Sequence, residues 1–263
     1  MDISNLRLNY KKSAIDFSNL EDHPIQYFLN WFADALAINK DEANACVLST
    51  VSENNLPSSR VVLLKEVNED GFTFFTNYQS NKSKDIDANP NVALNFYWPE
   101  LERQVRISGV IEKITTKASD KYFKTRPRES QIGAWISEQS KEIGLHDNFS
   151  ETINILESKF KGKEVDRPLH WGGYRIGPSR IEFWQGRPSR LHDRLLYKLE
   201  GDEWNKERLA PEALTLPPLF LFSSRFFYNF FLYCSFLFCS RFFFFNFFLF
   251  SRNNNCYISF PRP

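Results

Sequence analysis

Four short stretches hold side chains suited to gripping an anion. "WQGRPSRLHDR" (184–194) sets Arg187, Arg190, Arg194, His192 and Asp193 beside Trp184. "RVVLLK" (60–65) puts Arg60 and Lys65 at positions of opposite parity, so on a strand they project to opposite faces. "TNYQSNKSKDI" (76–86) places Ser80, Lys82 and Ser83 at a helix start, where backbone N–H groups and a lysine suit a phosphate. "YFKTRPRES" (122–130) spaces Tyr122, Arg126 and Ser130 four apart. On a continuous helix these would turn a phenol, a guanidinium and a hydroxyl to one anion, although Pro127 interrupts it. Each stretch also has a plainer reading: strand ends reaching solvent, an ordinary N-cap at Ser80, or solvated arginines.

Other chemistries are excluded more firmly. His23, His146, His170 and His192 are scattered, with no HExxH and no paired carboxylates, so no metal site is expected. A nucleophile elbow is absent. "HWGGYRIGP" lacks the strand-to-helix context of a dinucleotide fingerprint or a P-loop. A net charge of +1 argues against nucleic-acid binding by bulk charge. What is left is a set of phosphate-suited groups and tryptophans without hydrolytic machinery.

The elements that must position these groups follow from periodicity. Residues 22–39 carry Ile25, Phe28, Leu29, Phe32 and Leu36 at helical spacing, with Asp22 as the expected N-cap and Pro24 in the first turn. Strand patterns follow in "ACVLSTV", "SRVVLLKEV", "FTFFT", "VALNFYW" and "RQVRISGVIEKI", with a short helix in "SKDIDANP". Helical stretches cover about 116–137, broken at Pro127, and about 149–161. "HWGGYRIG", "RIEFWQG", "RLLYKLEG" and "EWNKERL" then read as four more strands. Short turns between successive strands favour antiparallel pairing, and the whole reads as an α+β protein built on an antiparallel barrel.

The chain changes character after Pro211. Four of its 33 Lys/Arg, one of its 32 Asp/Glu and 16 of its 27 Phe lie beyond that point, which leaves residues 1–211 mildly acidic. The Phe/Leu/Ser/Tyr/Cys/Asn alphabet of 212–263 has no helical or strand period and resembles translated T-rich DNA. Between Arg225 and Arg241 only 15 residues are free of charge. That is roughly 22 Å of helix, short of a ~30 Å hydrocarbon core. We read residues 1–211 as one domain and 212–263 as an artefact of splicing or gene modelling. Cys46 is the one cysteine before Pro211 and falls in an apolar run. No disulfide framework or secretory signal is evident, so a cytoplasmic protein is expected.

Taken together, "SSRVVLLK", "FFTNYQSNKSKDI", "ERQVRISG", "YFKTRPRESQIGAWIS", "RPLHWGGYRI", "IEFWQGRPSRLHDR" and "WNKERLAP" resemble the pyridoxamine 5′-phosphate oxidase family, in family order and across nearly all of residues 6–211. The resemblance implies an FMN-binding split β-barrel, a homodimer with FMN at the subunit interface. It implies oxidation of pyridoxamine or pyridoxine 5′-phosphate at C4′ to pyridoxal 5′-phosphate, with O2 as acceptor and H2O2 as product. Carried over by position, Arg60, Lys82, Gln139 and Ser140 would hold FMN around its phosphate and ribityl chain. Val61, Val62, Leu63, Leu64, Lys65, Phe75 and Thr76 would run along it, and Gln104, Trp184 and Arg194 would also touch it. Asn81 stands where the family often has an arginine before the phosphate lysine.

For the substrate, the resemblance implies that Lys65, Tyr122, Arg126 and Ser130 take its phosphate. Arg190, Leu191 and His192 would lie over its ring, and Arg7 and Tyr10 would belong to a covering N-terminal segment. Arg190 and His192 would be the catalytic pair. Arg187 is left over as a solvated side chain, and Asp193 as an ion-pair partner for a neighbouring arginine. A non-catalytic flavin or pyridoxal-phosphate carrier is the alternative, and a split-barrel reductase with another electron donor a third. Neither needs Arg190, His192, Tyr122 and Arg126 together.

Overall fold

The computed structural model describes residues 1–5, 8–136 and 139–211. The expectations for Arg7 and for 212–263 lie outside the described residues. Eight antiparallel strands run in the order β3-β2-β1-β4-β5-β6-β7-β8, and a further β3–β6 pairing closes the first six into a barrel. They are β1 (Ala45–Val51), β2 (Pro57–Asn68), β3 (Gly71–Asn77), β4 (Asn91–Trp98), β5 (Arg103–Lys113), β6 (Trp171–Gln185), β7 (Asp193–Glu200) and β8 (Glu203–Arg208). The helices are α1 (Pro24–Ile38), α2 (Asn81–Ala88), α3 (Thr116–Thr125), α4 (Arg128–Ile136) and α5 (Ser150–Phe160). The expected antiparallel barrel of the α+β kind is therefore present.

One expectation is corrected in β6, which is a single strand rather than two. Its first half pairs with β3 and its second half with β7, while β5 pairs along nearly its full length. The apparent break at Gly177–Pro178 is a register shift between Ser108 and Gly109 on β5. A bulge tolerates a proline that cannot donate to the ladder. Gly109 is required there, because a Cβ would come within 2.1 Å of the Gly177 carbonyl oxygen.

Alternation places the core. Cys46, Leu48 and Thr50 of β1 point inward, as do Val105, Ile107 and Ile111 of β5. Over them lies α1, whose N-cap is His23 and not Asp22. The His23 Nδ1 accepts from the Ile25 N–H at 3.3 Å, while Asp22 pairs with Lys206 at 2.8 Å. The buried stripe also differs from the expected one. It runs through Ile25, Phe28, Trp31 and Ala35, leaving Leu29 and Leu36 at the rim. The shift follows from Trp31, which packs on Phe183 at 5.3 Å and carries the Arg103 guanidinium 4.4 Å above its ring. Phe28 meets Phe72 at 5.0 Å and Phe96 at 5.2 Å.

A second, smaller cluster of Phe123, Ile132, Ala134, Phe160, Val165 and Trp171 joins α3, α4 and α5 to the start of β6. The Pro127 break is real. Arg126 just before it is extended (φ −71°, ψ 147°), as the pyrrolidine ring demands of its predecessor.

These environments separate two neighbouring apolar residues of α1. Phe28→Ala, at a fully buried position, should lower unfolding free energy by about 3–5 kcal/mol. Leu29→Ala, at a 37 % exposed one, should cost less than about 1 kcal/mol. Denaturant unfolding measures both, and equal losses would contradict this placement of the buried stripe.

Candidate active site

Arg60 lies on the same parity as Val62 and the buried Leu64, so its side chain turns toward β1 and α2. Its guanidinium donates to Thr50 Oγ1 at 2.7 Å, to Ser58 Oγ at 2.7 Å and to the Leu48 carbonyl at 3.3 Å. It also stands 3.7 Å from Asp85, whose carboxylate accepts from Thr50 at 2.7 Å. Beside it, α2 starts at Asn81 with Ser80 as N-cap. Lys82 is 8 % exposed and donates to Thr76 Oγ1 (3.2 Å), Ser80 Oγ (3.1 Å) and Gln139 Oε1 (3.0 Å). Among the described residues no carboxylate pairs with it. Burial, reinforced by the Arg60 charge, pulls its ammonium down to about 8.

Two cations brought together at a helix N-terminus, one buried without a counter-ion, form a pocket that favours an anion. Ser140 closes it by accepting from the Asn81 backbone N–H at 3.3 Å, while Asn81 is exposed. This donor set fits the phosphate of a mononucleotide cofactor: an ammonium, a guanidinium, hydroxyls and the start of a helix.

The opposite parity of β2 faces outward. Val61 is 66 % and Leu63 46 % exposed, and Lys65 is exposed beside them. Lys65 sits within a register shift between Leu64 and Glu66, where a bulge re-aims a side chain. Leu64 itself is in the core, so its contact with any ligand would be through backbone.

Nearby, Phe75 stacks on Tyr122 with ring centroids 3.8 Å apart and on Trp171 at 5.5 Å. The Arg126 guanidinium lies 4.5 Å above the Trp171 ring. Its Nη1 is buried and has no hydrogen-bond partner among the described residues. Burial lowers its affinity for its own proton and raises that of the Tyr122 phenol. Both shifts mark groups withdrawn from water. Ser130 is half-buried on α4. The helix turns at Pro127, so the four-residue spacing does not put it on one continuous face with Tyr122 and Arg126.

A second group lies along β4–β7. Register aligns Tyr97 with Gln104, Gln104 with Trp184, and Trp184 with Arg194. Gln104 donates to Asn95 at 2.7 Å. Arg194 donates to Glu182 at 2.8 Å, and Arg106 binds the other carboxylate oxygen. Burial opposes ionisation of Glu182, but hydrogen bonds from Arg194 and Arg106 outweigh it and hold its carboxyl below the usual range. The turn into β7 carries Arg190 and Leu191, both exposed, and His192. The His192 ring lies 4.6 Å from that of Trp184, and Tyr10 meets the two edge-on at 5.7 Å and 5.6 Å.

Arg187 is not a solvated side chain. It donates to the Ser13 carbonyl at 3.0 Å and pairs with Asp193 at 3.3 Å. Asp193 is the expected ion-pair partner, and Arg208 joins it at 3.3 Å.

The structure thus gathers Arg60, Thr76, Lys82, Gln139 and Ser140 in one pocket, with Phe75, Tyr122 and Arg126 in an adjoining aromatic layer. It gathers Tyr10, Trp184, His192 and Arg194 in the second group. Sequence reasoning missed Thr50, Asp85, Glu182 and Trp171. Glu182 had a signal, a carboxylate set between the apolar Ile181 and Phe183 two positions before Trp184. Thr50 and Asp85 had none, since their roles arise from tertiary contact.

Comparison with known proteins agrees with this architecture. Residues 32–154 match the family described as pyridoxamine 5′-phosphate oxidase. Residues 171–211 match the pyridoxine 5′-phosphate oxidase C-terminal dimerisation region. A pyridoxine/pyridoxamine 5′-phosphate oxidase of Cyanothece sp. is 48% identical over 209 residues, 80% of this chain and 98% of the relative. Another, from Hydrogenovibrio crunogenus, is 50% identical over 211 residues, 80% of this chain and 99% of its own. Among solved structures, PhzG from Burkholderia lata in complex with tetrahydrophenazine-1-carboxylic acid superposes with a TM-score of 0.69 at 27% identity, covering 76% of this chain and all of its own. A pyridoxamine 5′-phosphate oxidase-related, FMN-binding protein from Nostoc punctiforme shares the fold, with a TM-score of 0.59 at 18% identity over 73% of this chain and all of its own. With nearly half its residues shared along almost the full length of such relatives, and with the antiparallel barrel in place, the chain belongs to the pyridoxamine 5′-phosphate oxidase family.

Proposed function

We propose that this protein oxidises pyridoxamine 5′-phosphate and pyridoxine 5′-phosphate to pyridoxal 5′-phosphate, with FMN as cofactor, dioxygen as acceptor and H2O2 as product. The observation that supports the reading is the Arg60–Lys82 cation cluster on one side of β2, with the exposed Lys65 on the opposite parity of the strand. Two phosphorylated ligands each bring a charge near −2 and need separate sets of donors. Arg60 and Lys82 supply the inner set, Lys65 and Arg126 the outer one.

FMN, when bound, would supply the redox chemistry of the reaction, with hydride acceptance and transfer of electrons to dioxygen as its part. The chain's own residues bind and orient. Lys82, Arg60, Gln139 and Ser140 hold the cofactor phosphate and its neighbouring chain, with Thr76 as a hydroxyl donor and Val61–Lys65 and Phe75 alongside. Asn81 adds its exposed amide at the helix start. Gln104, Trp184 and Arg194 offer donors and a ring to the flavin. On the substrate side, Lys65, Tyr122, Arg126 and Ser130 grip phosphate. Arg190 positions the reacting carbon, and His192 orients the ring or moves a proton. Leu191 and the segment bearing Arg7 and Tyr10 cover the ligand and exclude water.

The dimerisation-region match supports a homodimer, and the exposed Val61, Leu63 and Tyr97 on the barrel surface would be available for burial between subunits. No helix among the described residues is long and apolar enough to cross a membrane. We assign the protein to the cytoplasm, where the buried Cys46 thiol, pushed up to about 12 by burial, stays reduced and inert. Residues 1–211 are proposed as the functional unit, consistent with a family match that ends at 211.

The full chain and residues 1–211, expressed in parallel, should both bind yellow flavin. With pyridoxine phosphate in air the short form should yield peroxide and pyridoxal phosphate, and a flavin-loaded protein producing neither would end the oxidase reading. Arg190→Ala should cut kcat by about a hundredfold and leave flavin bound. Arg60→Ala should weaken flavin affinity at least about tenfold, the loss expected for a charge-assisted bond.

Flavin affinity should also depend on pH in a defined direction. The FMN phosphate gains its second charge near pH ~6. Lys82 loses its proton above about 8. Affinity measured by flavin fluorescence quenching should peak between these values and decline at higher pH. Lys82→Met should abolish the alkaline limb, and an unchanged limb in that variant would contradict the role given to Lys82.

A further inference from the structure

The loop between β6 and β7 carries Arg190 and His192, yet its local sequence does little to hold it. Ser189 (φ 58°) and Arg190 (φ 60°) both occupy the left-handed region, which is unfavourable for residues bearing a Cβ. Such a conformation persists only where the surroundings over-determine it. Here Leu191 N–H donates to the Pro188 carbonyl at 3.1 Å, and Arg187 N–H donates to His192 Nδ1 at 3.1 Å. The Arg187 side chain reaches the Ser13 carbonyl at 3.0 Å and the Asp193 carboxylate at 3.3 Å.

Asp193 is the common anchor. It is 7 % exposed and also accepts from the Ile15 N–H at 3.3 Å and from Arg208 at 3.3 Å. Three distant segments therefore meet on one carboxylate: the N-terminal segment, the β6–β7 loop and the end of β8. The N-terminal segment is tied at a second point, where Lys11 and Lys12 N–H groups donate to Glu102 at 2.8 Å and 2.9 Å. Just before the Glu102 tie its course presses Tyr10 onto Gly186, where a Cβ would come within 2.7 Å of the Tyr10 ring.

We infer that Asp193, acting through Arg187, is a positioning residue that holds His192 as its Nε2-protonated neutral form and locks the Tyr10 segment to the loop bearing Arg190. A backbone N–H can only donate, so Nδ1 must present its lone pair to Arg187, and the proton of the neutral ring sits on Nε2. Nε2 is then a donor, a character suited to an acceptor such as the hydroxyl-derived oxygen on a hydroxypyridine. The Arg187 guanidinium, stretched between Ser13 and Asp193, keeps its own backbone N–H in line for that bond. The inference rests on the place given to His192 in the proposed substrate site.

The test is nitrogen NMR of the flavin-loaded full chain labelled at histidine, with His192 assigned from a His192→Gln variant, alongside steady-state kinetics. The wild-type spectrum should show an unprotonated Nδ1 at His192. Asp193→Asn and Arg187→Met should each convert this to a mixture of tautomers, lower kcat about tenfold and leave flavin affinity within about twofold. In a His192→Ala background the same changes should cost less than about twofold more, and Arg187→Lys should recover most of the loss. Should Asp193→Asn fail to fold, Arg187→Met, which leaves the carboxylate paired with Arg208, decides alone. An unchanged His192 tautomer in the folded variants, or losses that multiply in full with His192→Ala, would overturn the inference. A wild-type holoenzyme inert toward pyridoxine phosphate would instead sink the oxidase reading, and the tautomer would still decide the clamp.

Discussion

The pleat of β2 is the constraint from which the rest of the site follows. Successive side chains of a strand leave by opposite faces, so Arg60 and Lys65 stand on opposite parities of β2. Two dianionic phosphates in a single low-dielectric pocket would repel strongly, and the proposed site would keep their binding groups on opposite faces of the strand. The inner face delivers Arg60 to the start of α2, where Lys82 waits; the outer face delivers Lys65 through a bulge. The barrel has to close around β2 for this division to hold, and the long β6 closes it by pairing first with β3 and then with β7.

Charge neutralisation explains which cations remain available. Buried or half-buried carboxylates take up several arginines: Asp85 beside Arg60, Glu182 between Arg106 and Arg194, and Asp193 between Arg187 and Arg208. This is why a chain rich in anion-binding groups is nonetheless mildly acidic over its first 211 residues. Lys82 and Arg126 stand apart, one pulled down to about 8 and the other with a buried Nη1 that has no hydrogen-bond partner among the described residues. Desolvated cations of this kind favour an anion beside them, so part of a ligand's binding would be prepared by the fold itself.

Much of this was legible in the residues because it rests on local rules. Strand alternation at "RVVLLK", the Ser80 start of α2 and the Pro127 break all appear where short-range sterics put them. The misreadings share a different cause. The buried stripe of α1 is set by Trp31 against Phe183, and the N-cap passes to His23 because Lys206 occupies Asp22; both partners are more than 150 positions away in sequence. The continuity of β6 through Pro178 depends on a bulge in the opposing strand, which no pattern in β6 itself records. Arg187 looked solvated because its partners, Ser13 and Asp193, are brought to it only by the course of the N-terminal segment and the following turn.

The division of labour across β2 is tested most directly by equilibrium binding of two ligands to two variants. FMN binding to the flavin-free protein and pyridoxal phosphate binding to the flavin-loaded protein are measured for Arg60→Ala and Lys65→Ala. The expected outcome is a crossed pattern: Arg60→Ala weakens FMN at least about tenfold with little change for pyridoxal phosphate, and Lys65→Ala does the reverse. Equal weakening of both ligands by both substitutions would mean that the two cations share one pocket, and the two-faced site would be wrong.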